Sequence, residues 1–303
     1  MEFSDVHQVD IVLATYNGEK FLSEQIDSII AQDYKNWRLL ISDDGSKDRT
    51  VKIAENYCNI DNRIILVNKD RQGGVVKNFS KALEFVTSEY IMFCDQDDYW
   101  LPGKITHLKK LLMEKEVVVG KVPLLIFSDL IIVDEALKIT NKSFFHGSNI
   151  NPKDNFNPQF LLWRSAVYGC TVMFNKSLYD VAMPLPSEVT MHDQWFALKA
   201  SLMGFVMYSN ESHVYYRQHG NNVVGAKNKS LFEKIIGSFK TIGKIKNAAC
   251  LTNKMAIFIF GEQEKKIEAK LKFIFVNVIP YFKSGKIYIL FFTFFYLLSG
   301  DDK

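Results

Sequence analysis

Short apolar runs alternate with helix-like segments along the first half of the chain, and this order constrains the fold more than any other feature. Strand-like runs lie at residues 9–14, 37–41, 64–67 and 90–94, and a further one follows at 124–127. Strands that alternate with helices predict a mostly parallel sheet with helices on both faces, which is an α/β fold. Sheets of this type bind ligands outside the carboxyl ends of their strands.

Polar residues follow three of these strands directly. They are Thr15, Tyr16 and Asn17 after the first strand, Asp43 and Asp44 after the second, and Asp95, Asp97 and Asp98 after the fourth. Because parallel strands present their carboxyl ends at one edge of the sheet, we expect these side chains to form a single site.

The spacing of Asp95 and Asp97 suits a divalent cation. Alternate carboxylates at a strand end can face one pocket, and their oxygens are the ligands that Mg²⁺ or Mn²⁺ prefers, with phosphate oxygens completing the shell. A polar turn ahead of the helix after Pro102 would produce the same pattern. The acidic pair at the neighbouring strand end favours the metal site.

Two common phosphate-binding motifs are absent from the sequence. It contains no G-x-x-x-x-G-K-[ST], and no G-x-G-x-x-G follows the first strand. Their absence argues against a kinase-like NTPase and against a dehydrogenase. Phosphates would then be held by the metal and not by a glycine-rich loop.

Two residues of the second half could take part in this chemistry. Asp193 opens the helix-like segment 191–203, where it suits either a first-turn acid stabilised by the helix dipole or a general base. His219 suits either an ordinary surface histidine or a nitrogen ligand of the metal. Spacing alone leaves both alternatives open.

Five short motifs occur in the order found in family 2 glycosyltransferases, and the chain resembles the bacterial rhamnosyltransferase-like branch of that family. The motifs are ATYNG at 14–18, SDDGS at 42–46, CDQDD at 94–98, HDQW at 192–195 and YRQH at 216–219. The resemblance covers about residues 8–225, and the set is specific although each motif alone is weak. It implies the GT-A fold and inverting transfer from a nucleotide-diphosphate sugar.

The resemblance also implies a role for each predicted site residue. Tyr16 and Asp44 would hold the nucleotide base, in a donor-binding set with Thr15, Asn17 and Asp43. Asp95 would lie near the ribose and the metal-bound phosphates, and Asp97 and His219 would join it in binding Mn²⁺ or Mg²⁺. Gly169 would lie beside the donor sugar, and Asp193 would be the catalytic base.

The HDQW and YRQH motifs resemble those of rhamnosyltransferases, which favours dTDP-L-rhamnose as the donor, with a UDP-hexose as the alternative. The Q-x-x-R-W motif of the membrane-embedded polysaccharide synthases is absent, which argues against a processive synthase. A nucleotide-sugar-binding scaffold without turnover is the competing class of function. The retained base Asp193 argues against it.

Residues 226–303 differ from the predicted catalytic domain at 1–225 and are expected to form a basic, aromatic-rich helical tail. They hold 14 lysines and six acidic residues, whereas 1–225 holds 23 basic and 28 acidic residues. The net charge of +3 is too small to indicate a nucleic-acid partner. The asymmetry indicates an anionic surface as the tail's partner.

The tail also contains two apolar, aromatic-rich runs, at residues 272–282 and 286–298. The longest uninterrupted one, 287–298, is shorter than the roughly 20 residues of a spanning helix. Flanking lysines and abundant aromatic residues favour a segment that lies in the interface of a membrane. A helix packed on the catalytic domain or in a homodimer would show the same pattern.

The expected location is the cytoplasm, peripheral at the inner face of the cell membrane. Two acidic residues precede the first apolar run, so we expect no secretory signal, and the four cysteines are far apart, as is typical of reduced thiols. There the acceptor would be a glycan or a lipid-linked precursor of a cell-surface polysaccharide such as capsule, O-antigen or wall rhamnan.

Overall fold

The computed structural model describes residues 7–148, 150–219, 231–284 and 286–299. The chain divides into two compact units, which consist of Met1–Phe156, Ala166–Leu185 and Met191–His219 in the first, and of Asn157–Ser165, Pro186–Thr190 and Gly220–Lys303 in the second. The predicted domain boundary between residues 225 and 226 lies outside the described residues, so it stays a prediction.

The secondary structure follows the alternation expected from the sequence. The strands are β1 (Val9–Thr15), β2 (Trp37–Asp43), β3 (Ile64–Asn68), β4 (Tyr90–Asp95), β5 (Tyr99–Trp100), β6 (Leu124–Ser128), β7 (Ile131–Val133), β8 (Ile139–Asn141), β9 (Val172–Asn175), β10 (Phe205–Ser209) and β11 (Val214–Arg217). The helices are α1 (Leu22–Ile30), α2 (Thr50–Ile60), α3 (Val75–Leu83), α4 (Lys104–Val119), α5 (Phe144–Gly147), α6 (Pro158–Trp163), α7 (Lys176–Ala182), α8 (His192–Met203), α9 (Leu231–Phe260), α10 (Ile267–Phe273) and α11 (Lys286–Leu298).

The large sheet of the first unit is mostly parallel. Among the described residues it has seven strands in the order β10-β6-β9-β4-β1-β2-β3. Only β9 within it runs antiparallel to its neighbours, β4 and β6. The predicted α/β fold is confirmed. The local pattern at residues 171–174 is strand-like, as β9 is, but it did not reveal that this strand runs antiparallel between β4 and β6.

Helices cover both faces of this sheet. Ile11 of β1 belongs to one core cluster with Ile26 of α1. The neighbour of Ile11, Val12, pairs in register with Phe93 of β4, so Ile11 and Phe93 point to opposite faces. On its own face Phe93 packs its ring 5.4 Å from that of Phe79 in α3. Burial on both sides explains why the strands read as nearly continuous apolar runs.

A smaller sheet extends the first unit beside the carboxyl ends of the parallel strands. It has the order β5-β11-β7-β8 in the described part of the chain. Strand β5 follows the acidic run that ends β4, and it pairs antiparallel with β11. This pairing brings the end of β11, with Arg217, next to Asp97 and Asp98.

In the second unit, aromatic side chains form the contacts between the helices. The ring of Trp163 in α6 lies 5.5 Å from that of Phe292 in α11, and Phe273 of α10 stacks on Tyr296 at 4.9 Å. The opposite side of α11 exposes Ile287, Leu290, Phe294 and Leu298. Among the residues described, no helix combines the length and the apolarity needed to cross a membrane.

Candidate active site

The ends of β1, β2 and β4 meet at one edge of the large sheet. The register pairs Ala14 with Asp95 and Thr15 with Asp43. The Thr15 hydroxyl donates to Asp43 Oδ2 at 2.7 Å, and the same carboxylate accepts from the backbone N–H and the hydroxyl of Ser46. Asp43 is fully buried, so its visible role is to fix the turn after β2. Contact of Thr15 or Asp43 with a ligand stays a prediction.

The loop after β1 presents one aromatic ring to solvent on a fixed backbone. The backbone N–H of Tyr16 donates to Gln96 Oε1 at 2.9 Å, and Gln96 Nε2 donates back to the Tyr16 carbonyl at 3.1 Å. Asn17 takes a left-handed conformation with φ 46°, and its N–H donates to the Ser46 hydroxyl at 2.8 Å. The side chain of Tyr16 remains exposed, as a ring that stacks on a nucleotide base would need to be. Gln96 was not predicted from the sequence, although it stands between the two paired aspartates.

Asp44 organises the loop ahead of α3. Its carboxylate accepts the backbone N–H groups of Gln72, Gly73 and Gly74, the last two at 2.7 and 2.8 Å. Burial alone would raise the pKa of Asp44, but these three donors outweigh it and lower the pKa. The φ values of Gly73 and Gly74 are positive, 88° and 126°, a conformation that a side chain would strain. A nucleotide base would have to use the remaining acceptor capacity of this carboxylate.

Three carboxylates crowd together where β4 ends. Asp98 is fully buried, and its Oδ1 accepts the Arg217 N–H at 3.2 Å. The Cys170 thiol also donates a hydrogen bond to this carboxylate. Burial and the charge of Asp97 raise the pKa of Asp98 above its usual range. Burial and the charges of the neighbouring carboxylates raise the pKa of Asp95 well above its own. A carboxylate cluster whose pKa values are raised in this way favours a bound cation.

The other two predicted metal ligands, Asp97 and His219, lie in direct contact. His219 Nε2 is 2.8 Å from Asp97 Oδ2, and the imidazole packs 5.1 Å from the ring of Phe21. Arg217 holds this pair in place because its Nε donates to the Asp97 carbonyl at 3.0 Å. The buried guanidinium also lies 4.3 Å over Phe21. Thus a residue 120 positions away from Asp97 fixes the turn that carries it.

These residues fit a hard divalent cation. Carboxylate oxygens of Asp95 and Asp98 lie within 4.8 Å of each other, and Asp97 and His219 form a separate contact. Carboxylate oxygens and an imidazole nitrogen are donor types that suit Mn²⁺ or Mg²⁺. The Cys170 sulfur also lies within 4.8 Å of carboxylate oxygens of Asp95 and Asp98. Burial raises the pKa of this thiol well above its usual value, so it stays protonated and is a poor ligand.

Lys104 is a charged residue of the site that sequence reasoning missed. It is fully buried at the first position of α4, its Nζ donates to the Cys170 carbonyl, and it lies 3.2 Å from the centre of the Trp100 ring. Burial lowers the pKa of Lys104 to about 7, against the attraction of nearby acidic groups that include Asp98. A cation at a helix N-terminus opposes the helix dipole, and this mismatch was the signal available in the sequence.

Asp193 lies in the first turn of α8 and is nearly fully buried. Its Oδ2 accepts the Gly169 N–H at 2.9 Å and its Oδ1 accepts the Gln194 N–H at 2.7 Å. Burial raises the pKa of Asp193 to about 6, although the backbone donors oppose the shift. Its charge contributes to the raised pKa of Asp95. The structure therefore places the predicted base within electrostatic reach of the strand-end carboxylates.

Glycine at position 169 permits the close approach of this turn to α8. A β-carbon there would lie 3.1 Å from His192 Nε2 and 3.6 Å from Asp193 Oδ2. The His192 ring stacks on Phe79 at 3.7 Å, and burial lowers its pKa to about 3. His192 is thus a neutral core residue that anchors the start of α8 and, with it, Asp193.

Comparison with known proteins assigns the chain to a family. Residues 10–180, more than half of the chain, match the model of Glycosyl transferase family 2. The dTDP-rhamnosyl transferase RfbG of Shigella flexneri is 30% identical over 254 residues, which cover 78% of this chain and 79% of RfbG. The putative teichuronic acid biosynthesis glycosyltransferase TuaG of Bacillus subtilis is 26% identical over 230 residues, which cover 73% of this chain and 83% of TuaG.

Solved structures agree at the level of the fold. The mannosyltransferase PcManGT of Pyrobaculum calidifontis, in complex with GDP-Man and Mn²⁺, matches with a TM-score of 0.55 and 14% identity, over 99% of this chain and 90% of that one. The shared architecture is the GT-A fold. Since the family match spans most of the first unit and RfbG aligns over most of both chains, the protein belongs to glycosyl transferase family 2.

Proposed function

We propose that the protein is an inverting glycosyltransferase that moves a sugar from a nucleoside-diphosphate donor to a hydroxyl group of a glycan or lipid-linked acceptor. The observation that carries this proposal is the position of Asp193. This buried carboxylate is oriented by the Gly169 N–H, and its charge acts on Asp95 at the strand ends. Membership of family 2 supports a nucleotide sugar as the donor.

In the proposed reaction Asp193 is the general base. It removes the proton of the acceptor hydroxyl while the hydroxyl oxygen attacks the anomeric carbon of the donor sugar. The bond between that carbon and the diphosphate oxygen breaks, and the diphosphate leaves with the electron pair. Each carboxylate oxygen accepts one backbone N–H, which holds the base in a fixed orientation. A pKa of about 6 leaves Asp193 deprotonated at neutral pH yet basic enough for proton transfer.

The strand-end residues would hold the donor. Mn²⁺ or Mg²⁺, bound by Asp95, Asp97 and His219, would neutralise the charge that develops on the departing diphosphate. The exposed ring of Tyr16 offers a stacking surface for the base, on a loop that Gln96 holds rigid. Asp44 keeps the neighbouring loop in place.

The proposed donor is dTDP-L-rhamnose, and a UDP-hexose is the alternative. The HDQW and YRQH motifs support rhamnose, as does the likeness to RfbG at 30% identity. A panel of nucleotide sugars, assayed with the full-length protein and Mn²⁺, tests this choice. Preference for a UDP-hexose over dTDP-L-rhamnose would overturn it.

The proposed acceptor is a lipid-linked glycan at the cytoplasmic face of the membrane, on the way to a cell-surface polysaccharide. Exposed apolar side chains on α11, among them Ile287 and Leu290, support contact with lipid. The 14 lysines of residues 226–303 would add electrostatic attraction to an anionic leaflet.

The test of the mechanism is Asp193→Asn. We expect this variant to lose on the order of 100-fold or more in transfer rate, because general-base assistance is removed. Its affinity for the nucleotide donor, measured by calorimetry with Mn²⁺, should stay within about twofold of wild type. The exposed Asp180 of α7 provides a matched control, since Asp180→Asn should change neither quantity. Wild-type turnover in Asp193→Asn would refute the role of the base.

A non-catalytic scaffold that only binds nucleotide sugars is the competing function. The assay that separates the two is transfer or hydrolysis of the donor across a broad acceptor panel in the presence of Mn²⁺ or Mg²⁺. Donor binding without either reaction would favour the scaffold.

A further inference from the structure

A second cluster of metal-type ligands lies in the first unit, built from residues that the proposed reaction does not use. It consists of His107 in α4 and of Glu211 and His213 in the segment between β10 and β11. Glu211 Oε2 lies 3.4 Å from His107 Nδ1 and 3.4 Å from His213 Nε2. One ligand atom from each of the three residues lies within 4.8 Å of the other two.

We propose that His107, Glu211 and His213 bind a divalent transition-metal ion of the Zn²⁺ class. Two ligands at Zn²⁺ bond lengths of about 2.0–2.1 Å, placed at tetrahedral angles, lie about 3.3–3.4 Å apart. The two measured separations between imidazole nitrogen and carboxylate oxygen have this value. Both are longer than an ordinary hydrogen bond. Two imidazoles and one carboxylate leave a fourth position for water.

Ser209 prepares the His107 ring to act as a ligand. Its hydroxyl oxygen lies 2.8 Å from His107 Nε2 and accepts the Glu211 N–H at 3.2 Å. If Nε2 carries the proton and donates it to Ser209, the lone pair of Nδ1 points toward the Glu211 carboxylate. That carboxylate is itself an acceptor, so a cation between the two would satisfy both. A metal-bound histidine usually donates its second ring N–H in this way.

The donor types separate this site from the strand-end carboxylates. Imidazole nitrogen suits Zn²⁺, Co²⁺ and Ni²⁺, whereas a carboxylate-rich site suits Mg²⁺ and Mn²⁺. The two histidine side chains are only about one-fifth exposed, so they would shield an ion from solvent. A metal here would link α4 to the segment that leads into β11, whose last residue, Arg217, positions Asp97.

The test uses the full-length protein without a histidine tag, stripped of metal by a chelator and then titrated with Zn²⁺ and with Co²⁺. We expect saturable Zn²⁺ binding by calorimetry and the visible absorption bands of tetrahedral Co²⁺. His213→Gln and His107→Gln should each weaken Zn²⁺ binding by on the order of 100-fold and abolish those bands. Ser209→Ala keeps all three ligands and should weaken binding by about tenfold, because outer contacts tune a metal site to this extent.

Two controls define the site. His146 is exposed in α5, so His146→Gln removes a histidine without touching the cluster and should bind Zn²⁺ like wild type. Asp97→Asn alters the strand-end carboxylates and should leave the Co²⁺ bands unchanged. Circular dichroism shows which variants are folded. The proposal is overturned if wild type binds no Zn²⁺ at about 100 micromolar, a concentration that would reveal even a weak site. It is also overturned if folded His213→Gln retains the Co²⁺ bands while Asp97→Asn loses them.

Discussion

Burial raises the pKa of the Asp193 carboxylate from 3.8 to about 6. Because the proposed base must be deprotonated, the rate of transfer should fall about tenfold per pH unit below that value and reach a plateau above it. The measurement is kcat/KM against pH, with Mn²⁺ saturating so that the strand-end carboxylates stay ionised. Donor affinity measured over the same range is the control. An acidic limb near pH 4, where an exposed aspartate titrates, would contradict the assignment.

Lys104 is a buried amine beside the carboxylates that end β4, and because burial lowers its pKa to about 7, it is mostly a cation only below neutral pH, at about pH 6. Lys104→Met keeps most of the side-chain volume but leaves Asp95 and Asp98 without this charge. We expect the free energy of unfolding to fall by about 3 kcal/mol, the usual effect of removing one partner of a buried charge pair. Added Mn²⁺ should recover part of this loss, because a cation at the carboxylates replaces the missing charge.

Urea denaturation at about pH 6, where most of Lys104 is protonated, with and without Mn²⁺, measures both effects of Lys104→Met. The exposed Lys110, on the same helix, is the matched control, and Lys110→Met should change stability by less than about 0.5 kcal/mol. Equal losses in the two variants would show that the buried charge has no special role.

At the scale of elements, the contact between the turn at Gly169 and the start of α8 decides where Asp193 points. Gly169→Ala would place a methyl group 3.1 Å from His192 Nε2, against a ring that is packed on Phe79. The start of α8 would have to move, so we expect transfer to slow by roughly 10- to 100-fold. Gly243→Ala, at an exposed position of α9 with open space around it, should leave transfer unchanged. Steady-state kinetics on both variants test this, and full activity in Gly169→Ala would mean that α8 tolerates the shift.

At the scale of the whole molecule, the surface of the second unit is expected to decide where the protein works. Leu290 and Phe294 expose 58% and 55% of their surface on α11. A Leu290→Glu/Phe294→Glu double variant should lose binding to vesicles of anionic lipid without losing thermal stability, because neither side chain supports the core. Sedimentation with vesicles measures this. High salt should weaken wild-type binding but not remove it, since apolar insertion does not depend on charge.

The control for the vesicle experiment comes from the first unit. Val117 and Val118 of α4 are even more exposed, at 84% and 78%, and their replacement by Glu should leave vesicle binding unchanged. If wild type ignores anionic vesicles at low salt, α11 serves packing or dimerisation and the proposed membrane contact is wrong.

The sequence by itself determined most strands of the large sheet and the class of the protein, but not the short strands β5, β7 and β8 of the smaller sheet. Alternating apolar runs fixed the parallel strands, because burial on both faces demands continuous apolar residues. The strand-end residues, such as Asp43 and Asp95, were found because the carboxyl ends of parallel strands share one edge. The order of five motifs then indicated family 2, which the comparisons show.

Only the tertiary structure decided which distant residues meet at the site. Arg217 supports Asp97 across 120 positions, and Gly169 supports Asp193 across 24. Lys104 is fully buried, although the lysine-rich sequence around it is typical of a surface helix. The direction of β9 and its place between β4 and β6 likewise have no local signal, although its strand character does. Periodicity reports which face of an element is buried, whereas the partner across the core is chosen by long-range packing, which no local pattern contains.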